Sequence, residues 1–233
     1  MRFSCATLFI IKLKLGSVLI KKFTVYLIRH GETYLNKYDR MQGWADAPLT
    51  PQGIEDAHMA AKKVQDVHFD QAFSSDLTRA VHTAHIILDD TKNDALKVTQ
   101  LPNIREAFFG YFEGANGPET WDTICRPLGY NGIDDFLKDH TFYETRDAMH
   151  AADPFHDAED AQAFKKRILA GVDQLAEKAN DGETLLVVSH MDAIRSLIQL
   201  LNPQIDVHLP IKNGSLNILN FTDNQAEVVA YDK

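Results

Sequence analysis

An arginine beside a histidine, with glycine next, follows the apolar, β-branched run from Phe23 to Ile28 in the segment Leu27-Ile28-Arg29-His30-Gly31-Glu32-Thr33. A guanidinium offers a planar fork of donors that suits phosphate oxygens. The neighbouring imidazole can act as nucleophile, base or ligand. Gly31 lets the backbone turn sharply, or lets a substrate approach it closely. Three other segments carry compatible chemistry. Arg79 lies in Ser74-Ser75-Asp76-Leu77-Thr78-Arg79-Ala80, where the start of a helix would add its dipole to the arginine's own charge. Glu106 stands ahead of Gly110-Tyr111-Phe112-Glu113-Gly114, and His190 closes the apolar run from Thr184 to Ser189. Each has a bland reading alone, since a histidine after a strand is ordinarily structural and an arginine on a helix is ordinarily solvated. Together these four segments offer phosphate-type chemistry at the ends of core elements. His82 and His85 lie three apart on one helix, without an obvious carboxylate or cysteine to complete a metal site. His140, His150 and His156 fall in a stretch of weak periodicity.

The elements that must position these residues follow from the apolar pattern. Phe23 to Ile28 reads as a β-branched strand, and in an open α/β sheet ligands bind at the C-terminal ends of strands. Thr50-Pro51 is an N-cap followed by proline at the first helical position, and Ile54, Ala57, Ala61 and Val64 carry that helix to about Val67. Gln71 to Ser74 is a short strand. Ser75-Asp76 is expected to begin the next helix, with Leu77, Ala80, Val81, Ala84 and Leu88 on one face. Leu101 to Pro154, rich in glycine, aromatics and proline, reads as an excursion of loops and short helices. A long helix from about Ala158 to Asn180 ends at Asp181-Gly182. Thr184 to Ser189 is continuously apolar, as a strand buried on both faces should be, and Met191 to Leu201 returns to helical spacing. Leu216–Phe221 and Ala226–Tyr231, around Asp223-Asn224, read as a hairpin. This order predicts a doubly wound α/β fold in one domain with an insertion.

The chain has 233 residues, enough for one large domain with a sizeable core. Its formal net charge of −9 argues against a nucleic-acid binder, whose affinity rests on neutralising phosphates. A small phosphorylated substrate stays compatible, because a local cluster of arginines overrides the global sign. Cys5 and Cys125 share no Cys-x-x-Cys spacing, so neither a zinc ribbon nor a redox pair is expected, and a reducing cytoplasm is the default. In residues 1–22 the apolar stretch from Phe3 to Ile20 is broken by Lys12 and Lys14. It suits neither a membrane span nor a secretory signal. We read it as an N-terminal extension of uncertain role, with the domain beginning near Phe23 and no stable membrane association. The oligomeric state stays open, a homodimer included.

The chain resembles the histidine phosphatase superfamily, also called the phosphoglycerate mutase-like fold, from about Phe23 to Asp232. The resemblance rests on five blocks in order: Arg29-His30-Gly31-Glu32-Thr33, Leu49-Thr50-Pro51-Gln52-Gly53, Ser74-Ser75-Asp76-Leu77-Thr78-Arg79-Ala80, Arg105-Glu106 followed by Gly110-Tyr111-Phe112-Glu113-Gly114, and Val188-Ser189-His190. It implies a three-layer α/β sandwich with a mostly parallel central sheet, helices on both faces and an insertion at about residues 107–157 covering the site. It also implies that His30 forms a phosphohistidine, that Arg29, Arg79 and His190 bind the phosphoryl oxygens, and that Glu106 is the general acid and base. Asn36, Gln42, Gly43, Thr33 and Met191 match positions at the substrate, and no metal or cofactor is required. One departure stands out. Met191-Asp192 occupies the place where the family usually carries glycine, which is harmless if Met191 has negative φ, whereas an Asp192 turned inward would repel phosphate.

Members that act as mutases must hold a bisphosphorylated intermediate and so need further basic residues to grip a second phosphate. From Phe108 to Pro154 the bases are few, Arg126, Lys138 and Arg146, while Phe108, Phe109, Tyr111, Phe112 and Trp121 suggest an aromatic cover. The Glu-Arg-x-Tyr-Gly pattern of the cofactor-dependent mutases is missing. The expectation is therefore a phosphomonoesterase for a small phosphorylated metabolite, with a mutase or a catalytically weak phosphate-binding protein as alternatives.

Overall fold

The computed structural model of the protein describes residues 11–12, 21–223 and 225–233. The strands are β1 (Ile11–Lys12), β2 (Lys22–Arg29), β3 (Gln71–Ser74), β4 (Val98–Gln100), β5 (Thr184–Ser189), β6 (Leu216–Thr222) and β7 (Gln225–Ala230). The helices are α1 (Tyr34–Lys37), α2 (Pro51–Lys63), α3 (Thr78–Asp90), α4 (Gly117–Cys125), α5 (Ile133–Phe136), α6 (Glu144–Ala152), α7 (Ala161–Lys178) and α8 (Met191–Leu201). The reading of residues 1–22 as an extension falls mostly outside the described residues, although the backbone of β1 pairs antiparallel with β7.

The sheet order is β1-β7-β6-β2-β5-β3-β4. Strands β2, β5, β3 and β4 form a parallel core, which the hairpin β6–β7 extends with antiparallel pairing. Residues 185–189 of β5 are all buried, and the reason is the period of two along a strand. Leu185 and Val187 face α7 and α8, whereas Leu186 and Val188 face α2 and α3. The result is a three-layer sandwich of the expected kind. The excursion after Leu101 folds into α4, α5 and α6 and the turns between them, from which Ile124, Phe136, Phe142 and Met149 join the core on the α7–α8 side. No helix among the described residues is long and apolar enough to cross a membrane.

Parallel registry is what assembles the site. Arg29 pairs with Ser189 at the C-terminal ends of β2 and β5, so His30 and His190 leave the sheet side by side. The next strand over, β3, delivers Ser75 to the same edge, its N–H donating to Val188 O. Two local expectations need correction. Helix α3 begins at Thr78 and not at Ser75-Asp76, because Ser75 turns to His190, Asp76 pairs with Arg105 and Leu77 is extended. Strand β4 was not foreseen. It is three residues long and largely exposed, so it carries no alternating apolar pattern.

The turn after β2 is locked by contact between two backbones. A Cβ on Gly31 would lie 2.0 Å from Gly53 O, and one on Gly53 would lie 1.9 Å from Glu32 O. Thr50 holds the partner segment, accepting from Gly53 N–H at 3.0 Å as the N-cap of α2 while its own N–H donates to Glu32 O at 2.9 Å. This explains why Leu-Thr-Pro-Gln-Gly accompanies Arg-His-Gly in the sequence. Gly53→Ala should force these backbones apart and cost about 1–3 kcal/mol, read as a lowered urea midpoint. An unchanged midpoint would mean that the two segments separate freely.

Candidate active site

His30 follows β2 and is buried. Its Nδ1 lies 2.7 Å from Gly31 O, and a carbonyl can only accept, so Nδ1 carries the hydrogen and Nε2 keeps its lone pair. Burial holds the imidazole pKa well below its ordinary range, and the nearby Arg79 and Arg29 lower it further. The ring is therefore a neutral imidazole in a fixed tautomer. Arg79, from the first turn of α3, donates from Nε to His30 Nε2 at 3.2 Å. Arg29 lines the cavity beside it, with Nη1 donating to Ile211 O and Nε buried without a partner. Burial, only partly offset by Glu106 and Asp192, pulls the Arg29 guanidinium down to about 10.

His190 packs 5.0 Å from His30 between ring centroids. Its Nε2 lies 2.6 Å from Ser75 Oγ. That Oγ also accepts from Leu77 N–H at 3.4 Å, while His190 Nδ1 is buried without a partner. Burial also keeps this ring neutral.

Glu106 reaches the same cavity from the loop after β4. Its carboxylate accepts from the backbone N–H groups of Ala107, Asp192 and Ala193 at 2.9, 3.0 and 3.1 Å, the latter two in the first turn of α8. Its carbonyl accepts from Trp44 Nε1 and Arg167 Nη2. Burial and the charge of Asp192 outweigh those amides and push the carboxyl up to about 7, where a group can donate a proton and take one back near neutrality.

The cavity measures about 210 Å³. Asn36, Gln42 and Met191 line it, as expected of substrate contacts. Gln42 Oε1 accepts from Thr33 Oγ1 at 2.5 Å, so its buried Nε2 is left as a donor without a partner. Thr33 and Gly43 are not among the lining residues. Thr33 caps α1 and orients Gln42, while Gly43 gives its N–H to Glu113 and its carbonyl to Arg79. Met191 is the first residue of α8, absent from the residues with positive φ, so it fits where glycine is usual. Asp192 is turned towards Arg195 and Arg146, at 3.0 and 3.4 Å, and its charge is thereby met.

The aromatic cover differs from expectation. Phe109 and Trp121 line the cavity. Phe112 is buried in the core, Phe108 packs on Trp44, and Tyr111 is exposed beside Phe155. Of the excursion's bases, Arg126 and Lys138 sit on the surface paired to Asp122 and Asp135, but Arg146 is buried at the cavity wall. His140, His150 and His156 make contacts within the excursion, to Glu144, Ala158 O and His150 O. Sequence reasoning missed Ser75, Asp46 and the Arg146–Asp192–Arg195 cluster. Only the spacing of Asp192 and Arg195, three apart on a helix, offered a signal.

The family model for the histidine phosphatase superfamily (branch 1) matches residues 25–126 and 130–233. A 2,3-bisphosphoglycerate-dependent phosphoglycerate mutase from Neisseria meningitidis serogroup A is 31% identical over 216 residues, covering 84% of this chain and 94% of that protein. The structure of phosphoglycerate mutase from Bacillus anthracis superposes with a TM-score of 0.87 at 35% identity, over 91% of this chain and 94% of that one. The alpha-ribazole phosphatase from Shigella flexneri gives 0.69 at 28% identity, over 90% and 96%.

The loop of residues 43–46 ties the site together. Arg79 Nη1 and Nη2 donate to Ala45 O and Gly43 O at 3.0 and 2.7 Å, and Nη1 also meets Asp46 at 3.1 Å. On the opposite side, the Glu113 carboxylate accepts from the N–H groups of Gly43, Trp44, Ala45 and Phe109 at 2.7–3.1 Å. Glu113→Ala would strip four amides of their acceptor. We expect a loss of about 2 kcal/mol, since an amide left unsatisfied away from water costs about 1–3 kcal/mol and those of Gly43, Ala45 and Phe109 are partly shielded, together with a fall in any activity that depends on Arg79. Urea unfolding measures the first, and a variant as stable as wild type would remove Glu113 from this role.

Proposed function

The chain belongs to the histidine phosphatase superfamily, and on that premise we propose that it is a metal-independent phosphomonoesterase for a small phosphorylated metabolite, working through a phosphohistidine at His30. The observation that carries the reading is the neutral His30 ring, fixed by Gly31 O with its Nε2 lone pair beside the buried Arg79 guanidinium and near the half-buried Arg29. A charged imidazolium could not attack, and a free ring would present the wrong nitrogen for part of the time.

In the first step His30 Nε2 attacks phosphorus as the bond to the leaving oxygen breaks. Arg79 yields its contact with Nε2 and turns that donor to the phosphoryl group. Arg29 Nε, Gln42 Nε2 and His190 Nδ1, all buried without partners, supply further donors. Such preorganised donors stabilise charge spread over the equatorial oxygens with little reorganisation. Glu106, protonated, gives its hydrogen to the leaving alkoxide. In the second step the Glu106 carboxylate takes a proton from water, which attacks phosphorus, the P–N bond breaks, and His30 returns to its neutral form with release of inorganic phosphate.

A mutase is the second reading, favoured by the relatives that bear that name and by Arg146 at the cavity wall. The two separate in one assay with 3-phosphoglycerate and a trace of 2,3-bisphosphoglycerate. Phosphate release faster than formation of 2-phosphoglycerate supports the esterase, and the reverse order replaces it with the mutase. For the mechanism itself, wild type should hydrolyse p-nitrophenyl phosphate in EDTA, and His30→Ala should lose both turnover and acid-labile phosphate labelling. Near-wild-type turnover in that variant would sink the phosphohistidine.

The acid role of Glu106 makes a separate prediction. Glu106→Gln should slow alkyl phosphates by about 10²-fold or more, the usual contribution of a general acid, while nitrophenyl phosphate, whose leaving group needs little protonation, falls far less. Because the Glu106 pKa is raised, its donating form persists up to about 7. Because the His30 pKa is lowered, its neutral form persists well below the usual imidazole range. Hydrolysis of alkyl phosphates should therefore hold through mildly acidic pH and decline as pH rises through about 7. A profile that instead climbs through that region would reassign the acid.

A further inference from the structure

Arg167, on α7, has every donor of its guanidinium in use and no place among the residues that line the cavity. Of the five N–H groups such a side chain carries, two meet the Glu159 carboxylate, from Nε and Nη2 at 2.7 and 2.6 Å. Nη1 donates to both Asn103 O and Arg105 O at 3.0 Å, and Nη2 donates to Glu106 O at 2.9 Å. Three carbonyls of one short segment thus converge on a single side chain. The carbonyl between them, Ile104 O, accepts from Ser189 Oγ at the end of β5 at 2.8 Å. Glu159 continues the attachment, accepting from Phe108 N–H while its own N–H donates to Phe108 O, both at 2.9 Å.

The same face of α7 lets the segment come close. Gly171 lies one turn beyond Arg167, and a Cβ there would stand 2.7 Å from Ile104 Cγ2 and 3.3 Å from Asn103 C. Residues 103–106 are therefore seated on α7 by contact and oriented by their carbonyls, and Glu106 is the last of them. Its carbonyl is turned to Arg167 and to Trp44 Nε1, while its carboxylate meets the first amides of α8 on the cavity side. Seating a loop on a helix needs no ion pair, and a largely buried salt bridge adds little to stability. What the planar fork of donors adds is one orientation of the segment.

We propose that Arg167 is a positioning residue for the reaction, holding Glu106 where its carboxyl can reach the leaving oxygen. The proposal rests on the reading of Glu106 as the acid of the esterase. Arg167 itself touches no substrate, since its charge is matched by Glu159 and its donors are spent on the loop.

The test compares wild type, Arg167→Lys and Glu106→Gln on p-nitrophenyl phosphate and phenyl phosphate. These esters have nearly one shape, but phenolate needs a proton far more than nitrophenolate does. Lysine keeps the charge and loses the fork, so its effect is one of placement. Arg167→Lys should lower kcat on phenyl phosphate about 10- to 100-fold, the scale on which a small misplacement is felt, with a far smaller loss on the nitrophenyl ester and KM little changed. Equal losses on the two esters, or none, beside a selective loss in Glu106→Gln would overturn the proposal and leave the acid assignment standing. If Arg167→Lys fails to fold, Gly171→Ala applies the same criterion, because alanine favours the helix yet presses on Ile104 and Asn103. A reading without catalysis comes from carboxyl-carbon NMR of Glu106, identified by its loss in Glu106→Gln. Its titration near 7 arises first from burial, so Arg167→Lys should move it down towards the ordinary carboxylate range. An unmoved titration would also overturn the proposal. A wild type that hydrolyses neither ester would defeat the esterase reading instead, and the titration would still decide the role of Arg167.

Discussion

The burial of Arg79 against an uncharged histidine is the constraint from which the site is built. A guanidinium sealed from water must have its donors met, and here the acceptors are His30 Nε2, two carbonyls of the 43–46 loop and Asp46. That loop cannot offer carbonyls to Arg79 without turning amides the other way, and Glu113 receives them. Asp46 in turn caps α3 by accepting from Thr78 N–H and Oγ1. One charge on a helix start thus dictates a loop conformation, a half-buried carboxylate behind it and the environment that keeps His30 neutral. The low-dielectric setting makes each of these contacts strong and each omission expensive.

Glu106 stands under opposing influences that nearly balance. Three backbone amides, two of them at the N-terminus of α8, favour its carboxylate. Burial and the nearby Asp192 favour the neutral acid and prevail, leaving it near 7. Asp192 can do this only because Arg195 and Arg146 pay for its own burial. The residue that looked from the sequence like a threat to phosphate binding is instead a neutralised neighbour that adjusts the acid.

Legibility in the sequence followed the range of the interactions. The strands at 23–28 and 184–189, the N-cap at Thr50 and the tail hairpin were readable because period, capping and turn chemistry are local. His30, His190, Arg79 and Glu106 were readable because short motifs mark the ends of those elements. The start of α3 was not, since Ser75 and Asp76 look like helix-starting residues until their partners His190 and Arg105, remote in sequence, claim them. Thr33 and Gly43 carried the right motif position but serve the scaffold, a distinction visible only in their hydrogen bonds. Arg146 was counted as one of too few bases, because nothing within α6 shows that this arginine is buried while Arg126 and Lys138 remain outside.

The two ends of the cavity have different structural origins, and this shapes how specificity can vary. The end of the cavity at His30 is assembled at the ends of parallel strands, where a one-residue slip would turn the side chains to the other face and part His30 from His190. The opposite end is furnished largely by the α4 to α6 region, which packs on the core but shares no strand with it. Substitutions there can change the shape and charge of the pocket without altering the registry that holds His30. Asp192 is the exception, since it touches both ends: its N–H serves Glu106 and its carboxylate serves Arg146. An acidic chain can in this way enclose a basic pocket, because the charges that matter are those denied solvent, and the −9 of the whole is carried where water screens it.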